Sequence, residues 1–296
     1  MQNLGTGVNR LPTKRHRIFH FVWRGVNLLL SVFVASSICA GVREYSVRRY
    51  LDGFSNAIVL NSMPEEQKLQ GILDWMRAGP ARATSENPDA LAKRDPETTL
   101  SYSQLLNVCG TATNAFLNLA RSSDLRARRL LLLTPDNNTK HVVAEVLIAG
   151  RWIIVDPAYR VIMKDAAGHY LTRADLQNAA VFAQAISSVP NYSRGYTYDH
   201  FAHVRLARLP FVGFWLKRLL SAVAPGWEEA IDWSLLLERE SFFYLVLSMA
   251  SMLFLLLLRA VLAWYADSSL RIPRFHLREH ALRAGAAFFS TPGIKQ

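Results

Sequence analysis

Cysteine is scarce in this sequence: the chain of 296 residues contains two, Cys39 and Cys109. Cys39 falls within an apolar run near the N-terminus, so the polar middle of the chain has a single thiol. That middle segment therefore cannot form an internal disulfide. A solitary thiol is a liability in oxidising surroundings, and its presence favours a functional role for Cys109.

The sequence also lacks the patterns that hold common cofactors. It contains no glycine-rich phosphate loop and no internal repeat, and its eight histidines do not have the spacing of metal ligands. We therefore expect neither a cofactor nor a metal ion.

Acidic residues are absent from residues 1–42, which carry five basic residues. Residues 43–240 carry 23 basic and 21 acidic residues, and residues 241–296 carry six basic and two acidic residues. The net charge of +11 is thus concentrated at the two ends of the chain. Because the middle is nearly neutral, we expect no nucleic-acid partner.

Two long apolar runs stand beside these basic ends. Residues 26–42 contain no charge, and extending the run back to residue 18 gives a first span over 18–42; residues 242–266 contain one charge, Arg259. About 20 apolar residues cross a bilayer, and basic residues outside the spans are typical of cytoplasmic tails. The sequence predicts a multi-pass protein of the cell inner membrane, with both tails inside and residues 43–240 extracytoplasmic.

The first apolar run has a second interpretation. Basic residues at 14–17, a short apolar run and the small residues around Ala40 together resemble a signal peptide with its cleavage site. We favour a membrane anchor over a cleaved signal. Both interpretations place residues 43–240 outside the cytoplasm.

Cys109 begins a segment with helical periodicity. Four apolar residues within 112–120 recur at helical spacing, so one face of the segment is expected to be buried. Asn107 is the candidate N-cap, which places Cys109 in the first turn. There the positive end of the helix favours the thiolate, and the unpaired N–H groups are suited to binding an oxyanion.

A predicted hairpin brings a histidine and an aspartate together. Residues 140–149 and 151–155 read as strands joined by an alanine–glycine turn. A hairpin centred on that turn pairs Val143 with Asp156, so His141 lies diagonal to Asp156 on the same face. Diagonal neighbours are about 7–8 Å apart, within reach of a His–Asp hydrogen bond. A register slip of one residue would place the two on opposite faces.

These segments resemble the transglutaminase-like superfamily of papain-fold cysteine enzymes, in a membrane-anchored bacterial form. That family has a helix beginning with Cys, a strand opening His-x-Trp-x-Glu-Val and a strand ending Gly-x-Trp-x-x-Val-Asp-Pro. The corresponding segments here are residues 108–112, 141–146 and 150–157, with Val143 where the family usually has Trp. The resemblance implies an α+β fold in which N-terminal helices pack on an antiparallel sheet, flanked by two transmembrane helices.

The resemblance also implies the role of each residue. Cys109 would be the nucleophile, His141 the general base and acid, and Asp156 the group that orients the imidazole. Gln104, five residues before Cys109, is a candidate second donor to the oxyanion.

The function expected is that of a membrane-anchored cysteine enzyme that cleaves or transfers an acyl or amide group, with a protein or peptide as substrate. Hydrolysis and transamidation both remain open. The alternative, suggested by Val143 and by the paired anchors, is a non-catalytic module of a cell-envelope or polysaccharide-export assembly with partners there.

Four further elements are predicted from local patterns. Residues 62–79 form a helix capped by Ser62, and residues 129–134 form a third strand. Residues 171–185 form a helix with Thr172 as its cap. Residues 196–203 mix aromatic and polar side chains, and we assign them to surface packing, with the lining of a cleft as the alternative.

The chain is accordingly divided into seven parts: a basic cytoplasmic tail (1–17), a transmembrane helix or signal peptide (18–42), a helical arm and linker (43–100), the transglutaminase-like domain (101–210), a juxtamembrane amphipathic segment (211–241), a transmembrane helix (242–266) and a basic cytoplasmic tail (267–296).

Overall fold

A computed structural model describes most of the chain, namely residues 14–79, 100, 108–136, 138–204, 213–227, 236 and 239–270. Gln104, Asn107 and the predicted linker before residue 100 lie outside the described residues. The chain divides into two compact units, one of residues 39–245 and one of residues 1–38 and 246–296.

The described residues contain helices and one sheet. The helices are α1 (Lys14–Ile58), α2 (Glu65–Ala78), α3 (Cys109–Ser122), α4 (Arg173–Leu176), α5 (Ala179–Ala185), α6 (Gly213–Val223) and α7 (Glu240–Tyr265), with a π-helical turn over Ala266–Leu270. The strands are β1 (Ala127–Leu133), β2 (Thr139–Ile148), β3 (Arg151–Asp156), β4 (Val161–Ile162) and β5 (Phe201–Ala202). All neighbouring strands are antiparallel, in the order β4-β3-β2-β1-β5. The expected α+β fold is confirmed.

The register of the β2–β3 hairpin is the one that the sequence predicts. Leu147 pairs with Trp152 and Ala144 with Val155. Ala149 and Gly150 form the turn with φ values of 47° and 80°, the left-handed conformation that a two-residue hairpin turn needs at both positions. This register places His141 and Asp156 on the same face of the sheet.

The sheet has an apolar core on each face, because the side chains of its central strand alternate. Ala144, Val146 and Ile148 of β2 pack with α1, α2 and α3. Val143 of β2 and its neighbours on β1 and β3 instead pack against residues 163–198. A strand buried on both faces loses the polar–apolar alternation of a surface strand, and β2 accordingly reads as a nearly continuous apolar run.

Helix α2 lies against the first core through the stripe that its sequence predicts. Leu69, Ile72, Leu73 and Met76 are all fully buried. The helix begins at Glu65, however, and not at Ser62, whose predicted capping bond is not formed because Pro64 is the N-cap. Pro64 is extended, with ψ at 150°, so the chain before it cannot continue the helix.

The predicted helix over 171–185 is two short helices, α4 and α5. Thr172 caps the first, as expected, by accepting a hydrogen bond from the Asp175 amide. Asn178 caps the second with its side-chain oxygen. The competing cap at Asn178 is the reason that one continuous helix was the wrong prediction.

Among the residues that the structure describes, two helices are long and apolar enough to cross a membrane: α1, and α7 together with its π-helical turn. Their most apolar stretches have mean hydropathies of 1.9 and 2.4. At 1.5 Å per residue α1 is about 67 Å long, roughly twice the ~30 Å hydrocarbon thickness. Its remaining length belongs to the domain, where Val47 and Leu51 are buried in the first core.

A buried ionic network connects three helical segments within residues 39–245. Arg239 donates to Glu44 of α1 at 2.9 Å and to Asn118 of α3 at 3.1 Å, and Ser241 of α7 also donates to Glu44. The side chains of Glu44 and Arg239 are 3% and 5% exposed. Charges buried to this degree require their partners, since an unpaired charge in the interior is strongly unfavourable.

We therefore predict that Arg239→Met lowers the free energy of unfolding by about 3 kcal/mol, since it leaves Glu44 buried without its main counter-charge. The matched control is Arg48→Met, because Arg48 binds the same carboxylate at 2.7 Å but is 53% exposed. Because the Arg48 guanidinium keeps much of its contact with water, its loss is expected to cost about 1 kcal/mol or less. Thermal unfolding of the full chain in detergent measures both; equal losses would contradict a buried role for Arg239.

Candidate functional site

Cys109 is the first residue of α3, as predicted, but the residue before the helix is not the predicted one. The N-cap is Val108, which is extended. Val108 has no side-chain acceptor, and Thr111 supplies the hydrogen bonds instead: its Oγ1 accepts from the Val108 amide and donates to the Val108 carbonyl. The helical hydrogen bonds start at the Ala112 amide. The amides of Cys109, Gly110 and Thr111 therefore remain outside the helical ladder.

The helix that begins at Cys109 is fixed directly to the strand that carries His141. Thr113 donates from its hydroxyl to the Val142 carbonyl at 3.0 Å. Thr113 is fully buried, and Cys109 is half-buried beside Val142 in a small apolar cluster. This contact sets the distance between the thiol and the neighbouring imidazole, while the thiol itself stays accessible.

His141 and Asp156 form a short hydrogen bond in the interior. The distance from Nε2 to Oδ2 is 2.6 Å, and both side chains are fully buried. An ionised carboxylate only accepts hydrogen bonds, so Nε2 carries the proton. The Nδ1 atom of His141 is buried, and it makes no hydrogen bond of standard geometry to the described residues. The Cys109 thiol lies near enough to influence this imidazole through its charge and as a hydrogen-bond partner.

The Asp156 carboxylate accepts four hydrogen bonds. Oδ1 accepts from the amides of Ala158 and Tyr159, and Oδ2 accepts from His141 and from the Tyr192 hydroxyl. Four donors occupy all the acceptor sites of a carboxylate, which fixes its orientation.

The pKa of His141 reflects this environment. Burial alone lowers it and is the largest single effect. The charge of Asp156, the hydrogen bond to Asp156 and the proximity of Cys109 together outweigh burial and raise the pKa to about 9. The imidazole therefore carries a proton at neutral pH when Cys109 is a thiolate, which is the charge state of an activated thiol–imidazole pair.

Three tyrosines surround the imidazole. The ring of Tyr196 stacks on His141 at 4.2 Å with an interplanar angle of 2°. Tyr159 and Tyr192 present their rings to it edge-on at 5.9 and 6.3 Å. Residues 196–203 are therefore not mere surface packing: Tyr196 contacts the imidazole, Tyr198 is fully buried, and Phe201 begins β5.

Sequence reasoning missed Tyr192 and Tyr196 as site residues. The available signal was three tyrosines within seven residues, at positions 192, 196 and 198. No local sequence pattern indicates which distant strand these rings cover, because packing across the second core determines their position.

Val143, which stands where the family usually has Trp, is fully buried in the second core. Its neighbour on the same face, Glu145, is buried as well and binds Arg128 at 2.7 Å. The position that departs from the family pattern thus lies in the core beneath the sheet.

Among the residues that the structure describes, no group of three or more His, Cys, Asp or Glu side chains is arranged to hold a metal ion.

The three predicted residues lie within a segment that matches a known family. Residues 52–157 match the model of the transglutaminase-like superfamily. No curated protein and no solved structure matches the chain significantly. The matched segment contains Cys109, His141 and Asp156, and it ends before Tyr192 and Tyr196.

The raised pKa of His141 predicts a pH dependence of stability. A group with a folded pKa near 9 and an unfolded pKa near 6.5 stabilises the fold fully below pH 6.5, and this stabilisation is lost as the pH rises to 9. We expect the free energy of unfolding to fall by on the order of 3 kcal/mol across that window. Unfolding should be measured in wild type and His141→Gln, in which the slope should be shallower; identical slopes would contradict the assignment.

Proposed function

Because residues 52–157 form a transglutaminase-like domain, we propose that this protein is a membrane-anchored cysteine enzyme acting outside the cytoplasm. It cleaves or transfers an acyl group of a protein or peptide through an acyl-Cys109 intermediate. The observation that carries the proposal is the buried hydrogen bond between His141 and Asp156, since it directs the other imidazole nitrogen to the start of the helix that begins with Cys109.

In the acylation step the Cys109 thiolate attacks the carbonyl carbon of an amide or ester. The carbonyl π electrons move to oxygen, and amides at the start of α3 are suited to stabilise that oxyanion. As the tetrahedral intermediate collapses, the bond to the leaving amine or alcohol breaks and His141 donates its Nδ1 proton to it. The products are a thioester on Cys109, a neutral imidazole and the released leaving group.

In the deacylation step the neutral imidazole accepts a proton from water or from an acceptor amine as that nucleophile attacks the thioester. Collapse of the second tetrahedral intermediate expels the Cys109 thiolate and restores the imidazolium. Asp156 remains charged throughout and stabilises the imidazolium form. We favour water as the acceptor because hydrolysis needs no second binding site.

Two sets of contacts support the membrane placement. In the unit of residues 1–38 and 246–296, Arg259 lies over the ring of Trp23 at 5.4 Å. In the unit of residues 39–245, Arg48 lies over the ring of Phe242 at 5.9 Å. Early residues of α1 thus contact late residues of α7 and the reverse, as expected of an antiparallel pair of spans. The basic residues of the two tails are the separate reason to propose that both tails lie in the cytoplasm.

The alternative function is a non-catalytic module of an envelope or polysaccharide-export assembly. The buried network of Glu44, Arg239 and Asn118 favours it, since it fixes helical segments within residues 39–245 to one another, as a structural role requires. The two functions differ in one property: an enzyme needs an activated Cys109, whereas a scaffold does not.

We predict that Cys109 reacts rapidly with an electrophilic acyl probe or iodoacetamide at pH 7, in a Cys39→Ser background that leaves one thiol. An ordinary thiol with a pKa of about 8.5 is only ~3% thiolate at this pH, so loss of activation by His141→Ala should slow labelling about thirtyfold. Asp156→Asn should slow it less, because the amide disorders the imidazole without removing it.

The matched control is His169→Ala, which removes an exposed His–Asp pair with Asp165 on the same domain and should leave the rate unchanged. Cys109→Ala should abolish labelling. If Cys109 labels as slowly in wild type as in His141→Ala, the enzymatic function is rejected and the scaffold function is favoured.

The placement in the membrane is tested separately. A topology reporter inserted near residue 150 should be active outside the cytoplasm, and one fused near residue 290 should be active inside. A cytoplasmic signal at residue 150 is incompatible with the proposed location.

A further inference from the structure

We propose that Tyr192 and Tyr196 form a tyrosine clamp that positions the His141–Asp156 pair, with Tyr192 holding the carboxylate and Tyr196 covering the imidazole. The clamp rests on the proposed function, since it assigns roles within the same site. Neither tyrosine lies in the segment that matches the family, residues 52–157.

Tyr192 acts on the carboxylate. Its hydroxyl donates to Oδ2 of Asp156 at 2.7 Å, the same oxygen that accepts from His141. Burial and the charge of Asp156 raise the pKa of Tyr192 well above its usual value, so the phenol keeps its proton and remains a donor. A carboxylate oxygen held by two donors cannot rotate away from the imidazole without breaking both hydrogen bonds.

Tyr196 acts on the imidazole. Its half-buried ring is parallel to that of His141, and the two ring centroids are only 4.2 Å apart. A cation over an aromatic face is attracted by its quadrupole, so this stack stabilises the imidazolium more than the neutral ring. The same ring also covers one face of the imidazole and shields it from water.

The clamp is held by residues that lie close in sequence to His141 and to Asp156. Lys140 donates from its ammonium to the Gly195 carbonyl at 2.7 Å, next to Tyr196. The Tyr159 hydroxyl donates to the Asn191 carbonyl at 3.4 Å, next to Tyr192. Both tyrosines are thus attached to the chain that immediately adjoins His141 and Asp156.

Among the described residues, the titratable groups that face His141 are Asp156 of β3, Cys109 at the start of α3 and the phenols of Tyr159, Tyr192 and Tyr196. Asp156 and Cys109 remain unchanged in every clamp variant. A shift in the titration of His141 on changing residue 196 therefore reports the stack.

The test is an NMR titration of His141 itself. The chemical shift of an imidazole carbon of this residue is followed against pH in the full chain in detergent. A cation–π contribution predicts that Tyr196→Leu lowers the titration midpoint of His141 by about half a pH unit or more. Tyr196→Phe should keep it, and Tyr196→Trp should keep or raise it, since Trp is the strongest partner for a cation. If the leucine variant does not fold, the comparison of wild type with the phenylalanine and tryptophan variants still tests the proposal.

Tyr192→Phe retains the ring and removes the donor. A hydrogen bond to a charged group is strong enough that its loss should slow Cys109 labelling at pH 7 by about tenfold. The matched control is Tyr170→Phe, because Tyr170 is a partly buried tyrosine that packs against the first core and lies outside the site. The control should label at the wild-type rate.

Failure of the clamp and failure of the proposed function give different results. If His141 titrates identically in the leucine, phenylalanine and tryptophan variants and Tyr192→Phe labels at the wild-type rate, the clamp is wrong even when Cys109 is reactive. If the titration midpoint of His141 changes with the residue at position 196 but Cys109 labels as an ordinary thiol, the clamp is supported and the proposed enzymatic function is rejected.

Discussion

The hydrogen bond between His141 and Asp156 is the interaction on which the rest of the site depends. Two ionisable groups without solvent contact are costly to bury, and their mutual attraction rarely offsets that cost unless every remaining polar atom is satisfied. Two backbone amides and a tyrosine hydroxyl satisfy the remaining acceptor sites of Asp156. The pair holds the imidazole in one tautomer and one orientation.

That orientation in turn depends on strand register. The two residues belong to different strands joined by a two-residue turn, and a slip of one residue would place them on opposite faces of the sheet. The left-handed turn at Ala149 and Gly150 opposes such a slip from one end. Alternate packing of β2 against two separate cores opposes it along the strand. The constraint on the geometry of the His141–Asp156 pair is therefore the same as the constraint on folding.

These local relations explain which parts of the site were predictable. A turn signal and alternating strands determine the hairpin register by counting, so the positions of His141 and Asp156 followed from the sequence. The first turn of α3 also followed, although its cap is Val108 with Thr111 and not Asn107. The positions of Tyr192 and Tyr196 could not be predicted, because no local sequence pattern indicates that a segment beginning 36 residues after Asp156 folds back over it.

The second limit of local reasoning concerns the C-terminal part of α1. The sequence shows where α1 becomes polar, but not that the helix continues to Ile58 and buries Glu44. Glu44 binds Arg239, and Arg239 binds Asn118 on the helix that begins at Cys109. A helix transmits a constraint along its length because its backbone hydrogen bonds make it stiff. The contacts of Glu44 and Arg239 therefore help to fix the helix that carries the thiol, so the position of Cys109 depends on residues that are distant in the sequence.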